Sequence, residues 1–164
     1  MNEKNKTTKY PSGNKKTDIS QDGDTLVTKH FYDAKNAYVR ELIYLKDGVQ
    51  EIKYYTEQGV LSKVDHYVEE KRHGLETKYL VSKANSVVKS TKIYDNGKLH
   101  GENITYNPFG LVIKHEVFAL GKRVLKYTRD TNENSEISSV EIIDKEGVIN
   151  LPKEEYDKLQ SYIK

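Results

Sequence analysis

The chain contains no cysteine, no tryptophan, a single methionine and three prolines. Without cysteine, neither a disulfide framework nor a thiolate metal site can form, which fits a reducing cytosol. Apolar material is also scarce: hydrophobic residues make up 35% of the 164 and charged residues 32%. No run approaches the ~20 apolar residues that span a bilayer. The opening MNEKNKTTKY is hydrophilic and lacks the apolar stretch of a signal peptide, so the expected location is cytoplasmic, with no membrane partner. A net charge of +2 is too small to mark a nucleic-acid binder by itself. What remains is one domain with a thin core, as in single-layer or elongated repeat proteins.

Tyrosine is abundant, and it is periodic. Tyr32, Tyr44, Tyr55, Tyr67, Tyr79, Tyr94 and Tyr106 are separated by 12, 11, 12, 12, 15 and 12 residues, and Phe118 follows after another 12. A fixed period means one small unit copied along the chain. Between the aromatics lie runs rich in β-branched residues, such as Val39 to Leu45, Val60 to Val68, Val87 to Tyr94 and Leu111 to Phe118. Glycine-bearing turns separate them: Lys46-Asp47-Gly48, Glu57-Gln58-Gly59, Asp95-Asn96-Gly97 and Asn107-Pro108-Phe109-Gly110. A strand of roughly 6–8 residues and a turn of roughly 3–5 fill the period. The expected fold is all-β, an elongated antiparallel meander.

The stretch Tyr94-Asp-Asn-Gly-Lys-Leu-His-Gly-Glu102 followed by Tyr106-Asn-Pro-Phe-Gly110 resembles a MORN repeat variant. Arg72-His73-Gly74 repeats the His-Gly element, and Tyr10-Pro-Ser-Gly-Asn-Lys-Lys16 looks like a first, worn copy. Ser82 to Ser86 and Asp33 to Asn36 depart from the pattern by lacking the glycine turn. The resemblance implies MORN-like β-hairpin repeats over residues 10–128 and, by analogy with bacterial antitoxin components, protein binding.

The rhythm stops after Tyr127. Residues 129–136 read as a loop and Ile137 to Ile143 as a further strand. Pro152, Glu154 and Glu155 can open a short C-terminal helix, with Tyr156, Leu159 and Ile163 on one side. Strand and capping helix together make 137–164 part of the same domain, and residues 1–9 read as a mobile, lysine-rich tail.

Catalytic signals are absent from the sequence. His30, His66, His73, His100 and His115 have no paired metal-ligand spacing, and no P-loop, GxGxxG or GxSxG occurs. The chain reads as a non-enzyme with no cofactor and no metal. In a meander, turns two strands apart share an edge. One edge then gathers Lys46, Lys71, Arg72, His73, Lys98, His100, Lys122 and Arg123, diluted by Asp47, Glu69, Glu70 and Asp95. The lysines, arginines and histidines of that edge, with the off-period Tyr38 and Tyr54, are the candidate partner-binding set. The partner expected is another protein, such as a toxin, that the chain neutralises in the manner of an antitoxin or immunity protein. The alternatives are a phage-encoded, anti-CRISPR-like inhibitor of a host defence nuclease, or a nucleic-acid-binding β-protein. A thin sheet also leaves a homodimer open.

Overall fold

The computed structural model describes residues 5–82, 85–129, 137–143 and 148–150. Every element in it belongs to one antiparallel sheet. The strands in chain order are β1 (Lys6–Lys9), β2 (Lys15–Asp22), β3 (Thr25–Phe31), β4 (Val39–Lys46), β5 (Val49–Tyr55), β6 (Leu61–Val68) and the two-residue β7 (Lys71–Arg72). They continue as β8 (Gly74–Val81), β9 (Ser86–Asp95), β10 (Lys98–Tyr106), β11 (Val112–Ala119), β12 (Lys122–Arg129), β13 (Ile137–Ile143) and β14 (Val148–Asn150). Spatial order follows chain order throughout, with β7 paired to β6 beside the main path. The all-β meander is as the tyrosine period implied.

Two kinds of turn build the two edges. On one edge, Asp47-Gly48, Asn96-Gly97 and Leu120-Gly121 hold both central residues at positive φ. That is the primed two-residue turn whose twist matches a hairpin. Glu69-Glu70 adopts the same pair of angles, 48° and 64°, with no glycine to ease it. On the other edge a five-residue loop recurs, starting at Tyr10, Thr56 and Asn107. In each, the first N–H donates to the fifth carbonyl and the glycine N–H returns to the first carbonyl, at 2.8–3.0 Å. Side chains reinforce these loops: Thr56 Oγ1 accepts from the Gln58 and Val60 N–H groups, and Asn107 Oδ1 from those of Phe109 and Leu111. Such local bonds explain why Thr and Asn open these loops.

Two tyrosines that lie just beyond strand ends reach across the sheet to later strands. Tyr10 donates its hydroxyl to the Phe31 carbonyl at 2.8 Å, and Tyr32 donates to the Tyr55 carbonyl at 2.7 Å. At the ends, the reading is corrected in one place. Lys6–Lys9, expected within a mobile tail, is strand β1, paired to β2 and held by a 2.7 Å bond from Thr7 to Asp18. A strand without apolar side chains survives there because its backbone groups complete a ladder. The strand at 137–143 is present, and β14 follows it. The proposed C-terminal helix and most of the loop at 129–136 lie outside the described residues.

Burial inverts the usual order. Among the described residues the buried hydrophobic side chain is Val27, whereas the buried polar ones are Asp65, Glu76, Ser90, Asn103 and Glu116. With no second layer among the described residues, apolar side chains there reach half-burial at most sites, and depth is found where long neighbours crowd over short ones.

Candidate functional site

Cross-strand partners in an antiparallel ladder point to the same face. Following the register therefore traces a row across the sheet. It runs Ile19, Thr28, Ile43 and Ile52 over β2 to β5, and then reaches Asp65. From Glu76 it continues through Lys92, Asn103, Glu116 and Lys126. All five buried polar residues sit on this face, Ser90 by way of its pairing with Lys78 and Thr105. We call it the ladder face.

Each buried carboxylate is neutralised from the side. Asp65, 1% exposed, pairs with Lys63, accepts from the Tyr67 hydroxyl at 3.3 Å and lies 3.9 Å from Arg72. Glu76, 3% exposed, has Arg72 at 3.5 Å and both Lys63 and Lys78 at 3.7 Å. Neither Glu76 oxygen makes a hydrogen bond, so charge alone offsets its desolvation. Glu116 accepts from Asn103 at 2.8 Å and pairs with Lys114 at 2.9 Å and Arg123 at 3.3 Å. Burial pushes the Glu116 carboxyl up, yet Lys114 and Arg123 outweigh it and hold the group below its ordinary 4.5.

Aromatic rings form the next layer of the same face. Lys63 lies 5.1 Å from the Tyr54 ring centroid and Arg72 lies 5.3 Å from that of Tyr94. Desolvation, with the Tyr67 and Asp65 neighbours adding to it, pushes the Tyr54 phenol up to about 12. The Arg72 guanidinium is held still more firmly protonated by Tyr67, and by Asp65 after it. The Tyr54 phenol and the Arg72 guanidinium both keep their protons near neutral pH. The arrangement is a fixed array of charges.

The predicted binding residues divide. Backbone bonds from Gly97 to the Arg72 carbonyl at 2.8 Å and from Gly121 to the Leu99 carbonyl at 2.7 Å join successive turns into one edge. Lys71, Lys98 and Lys122 lie along it, exposed, and Lys46 lies beside them because Val49 pairs with Val68. Arg72 and Arg123 instead turn onto the ladder face. His73 is 3.4 Å from Asp95, and His100 Nδ1 accepts the Leu120 N–H at 3.3 Å. Tyr54 belongs to the ladder face. Tyr38 is apart from both groups: 60% exposed, with its ring set against Gly59 so closely that an added Cβ would lie 2.7 Å from Tyr38 Cδ1.

Sequence reasoning missed Asp65, Glu76, Lys92, Asn103 and Glu116. A signal was there in Lys63-x-Asp65-x-Tyr67 and Lys114-x-Glu116-x-Phe118, a basic, acidic and aromatic triplet at period two.

Elsewhere, a depression lined by Gly13, Asn14, Phe31 and Asn36 includes Lys15, but that ammonium is 3.2 Å from Asp18. Among the described residues no group of three or more His, Asp or Glu is placed to hold a metal ion, and no helix is long and apolar enough to cross a membrane. No protein-family model matches the chain, and no curated protein matches it significantly.

Proposed function

We propose that the protein is a non-enzymatic binding module that recognises and neutralises a partner protein. The observation that carries this reading is the open single layer. Every described element lies in one sheet, and both faces present large side chains, including Leu75 at 44% and Ile93 at 37% exposure on the face opposite the ladder. A surface of that kind supplies broad contact area, and its tyrosines and arginines are the residue types that anchor interfaces. The antitoxin- or immunity-like form of the proposal rests on the resemblance to MORN-repeat variants. The edge lysines Lys46, Lys71, Lys98 and Lys122, with His73 and His100, are proposed to steer the encounter.

Affinity purification of the tagged chain from its native host, followed by mass spectrometry, tests this. One protein enriched in stoichiometric amount is the expected result. Recovery of nothing above background, with folding confirmed by circular dichroism, would refute it.

A further inference from the structure

We infer that the ladder face between β6 and β12 is the docking surface, and that it takes a protein partner presenting carboxylates at separate points. The inference rests on the protein-binding reading above and adds a place and a chemistry to it.

Three observations lead there. First, the lysines and arginines of this face's paired rows fall in one half of the sheet. Over β2 to β5 its three rows run Thr17-His30-Glu41-Tyr54, Ile19-Thr28-Ile43-Ile52 and Gln21-Leu26-Leu45-Gln50, with Glu41 the one carboxylate. From β6 onward the face carries Lys63, Arg72, Lys78, Lys92, Lys114 and Arg123 over Asp65, Glu76 and Glu116. Among the described residues of β6 to β12, six cations against three carboxylates leave an excess of positive charge, and Lys126 extends the row opposite Glu141.

Second, the carboxylates are at the floor and the cations at the rim. Asp65, Glu76 and Glu116 are each less than 5% exposed, while the side chains of Lys78, Lys114 and Arg72 are 46%, 40% and 39% exposed. An approaching surface meets ammonium and guanidinium groups already oriented from below. Oriented donors lose less freedom on binding than mobile surface lysines do.

Third, Lys92 sits in the central row between Glu76 and Asn103, half-buried, and its ammonium makes no hydrogen bond or ion pair with the described residues. A half-buried ammonium gains most from one external carboxylate.

A nucleic-acid strand fits this surface less well. Strand recognition uses a continuous cationic groove and open aromatic faces for base stacking. Here Lys63 and Arg72 cover the Tyr54 and Tyr94 rings, and the cations are separate points over an acidic floor. Alternate strands in a sheet are roughly 10 Å apart, which spaces the rim cations like side chains on a folded surface.

The test uses the full chain and fluorescence anisotropy at about 150 mM salt, where distant surface charges are screened. The probes are labelled poly-L-glutamate and oligothymidylate of matched length. The variant Lys78→Gln/Lys92→Gln is compared with Lys29→Gln/Lys35→Gln, which removes the same charge from the other half. Lys78→Arg/Lys92→Arg keeps the charge, and thermal melts check that each variant folds. The expected result is poly-L-glutamate binding weakened about tenfold by the first variant, less than about twofold by the second, and preserved in the arginine variant. Equal losses in the two neutralised variants, no poly-L-glutamate binding, or tighter binding of oligothymidylate would overturn the proposal. If poly-L-glutamate fails while affinity purification still recovers a partner, the ladder-face assignment falls and the binding role stands.

Discussion

The two halves of the sheet wear their polarity on opposite sides. Across the β5–β6 pair, Ile52 faces Asp65 on the ladder face and Lys53 faces Val64 on the other. Before that pair, the ladder face is lined by isoleucines while Asp18, Lys29, Glu51 and Lys53 occupy the opposite side. After it, the ladder face is ionic while Val64, Leu75, Ile93, Ile104 and Val117 occupy the opposite side. A sheet meant to pack under a single second layer keeps one face apolar along its whole length. This sheet does not, so the side available for apolar contact changes midway.

The largest expected difference between the halves comes from the central row itself. Asp65→Ala strands Lys63 and Arg72 beside buried Glu76 without their second carboxylate, and should cost about 3 kcal/mol in a chemical denaturation experiment. Ile52→Ala, its direct neighbour across the β5–β6 pair, removes half-buried apolar area and should cost about 1–2 kcal/mol. Equal costs would break the comparison.

A smaller effect should appear on acidification. The Glu116 carboxyl is held below its ordinary 4.5, so the stability it contributes is present above that value and is lost as pH falls through the lower folded value. Thermal melts from pH 7 to pH 3 should show the native protein losing stability in that window. Glu116→Gln should start roughly 2 kcal/mol less stable at pH 7 and converge on the native protein at the acid end. A gap that stays constant across the range would contradict the assignment.

The smallest effect is stabilising. The Glu69-Glu70 turn of the ionic half holds two side-chain-bearing residues at positive φ, whereas the corresponding Asp47-Gly48 turn has a glycine. Glu70→Gly should raise stability by about 1 kcal/mol. Gly48→Ala, at φ 78° with nothing near the new methyl, should lower it by a similar amount. Melting temperatures read both.

The architecture was legible because glycine and tyrosine recur where the backbone needs them. Gly48, Gly97 and Gly121 end two-residue turns, and the strands between had length for little else. The edge to which each turn belongs followed from counting. β1 was missed because Lys-Thr-Thr-Lys has no apolar residue to announce a strand, and its stability lies in pairing. The ladder was missed for a related reason. Nothing next to Asp65, Glu76 and Glu116 in the sequence announces burial: they are covered by residues on neighbouring strands, such as Arg72 and Arg123, whose guanidinium groups leave the turn edge for the face. Period-two alternation tells which residues share a side of one strand, not which side the neighbouring strand fills with long chains.

Hydrogen–deuterium exchange of the chain alone and bound to its recovered partner tests the central claim most directly. Protection concentrated in β6 to β12, and strongest around Asp65 to Tyr67, Glu76 to Lys78 and Lys114 to Glu116, is the result predicted. Protection confined to β1 to β5, or an exchange pattern unchanged by the partner, would contradict it.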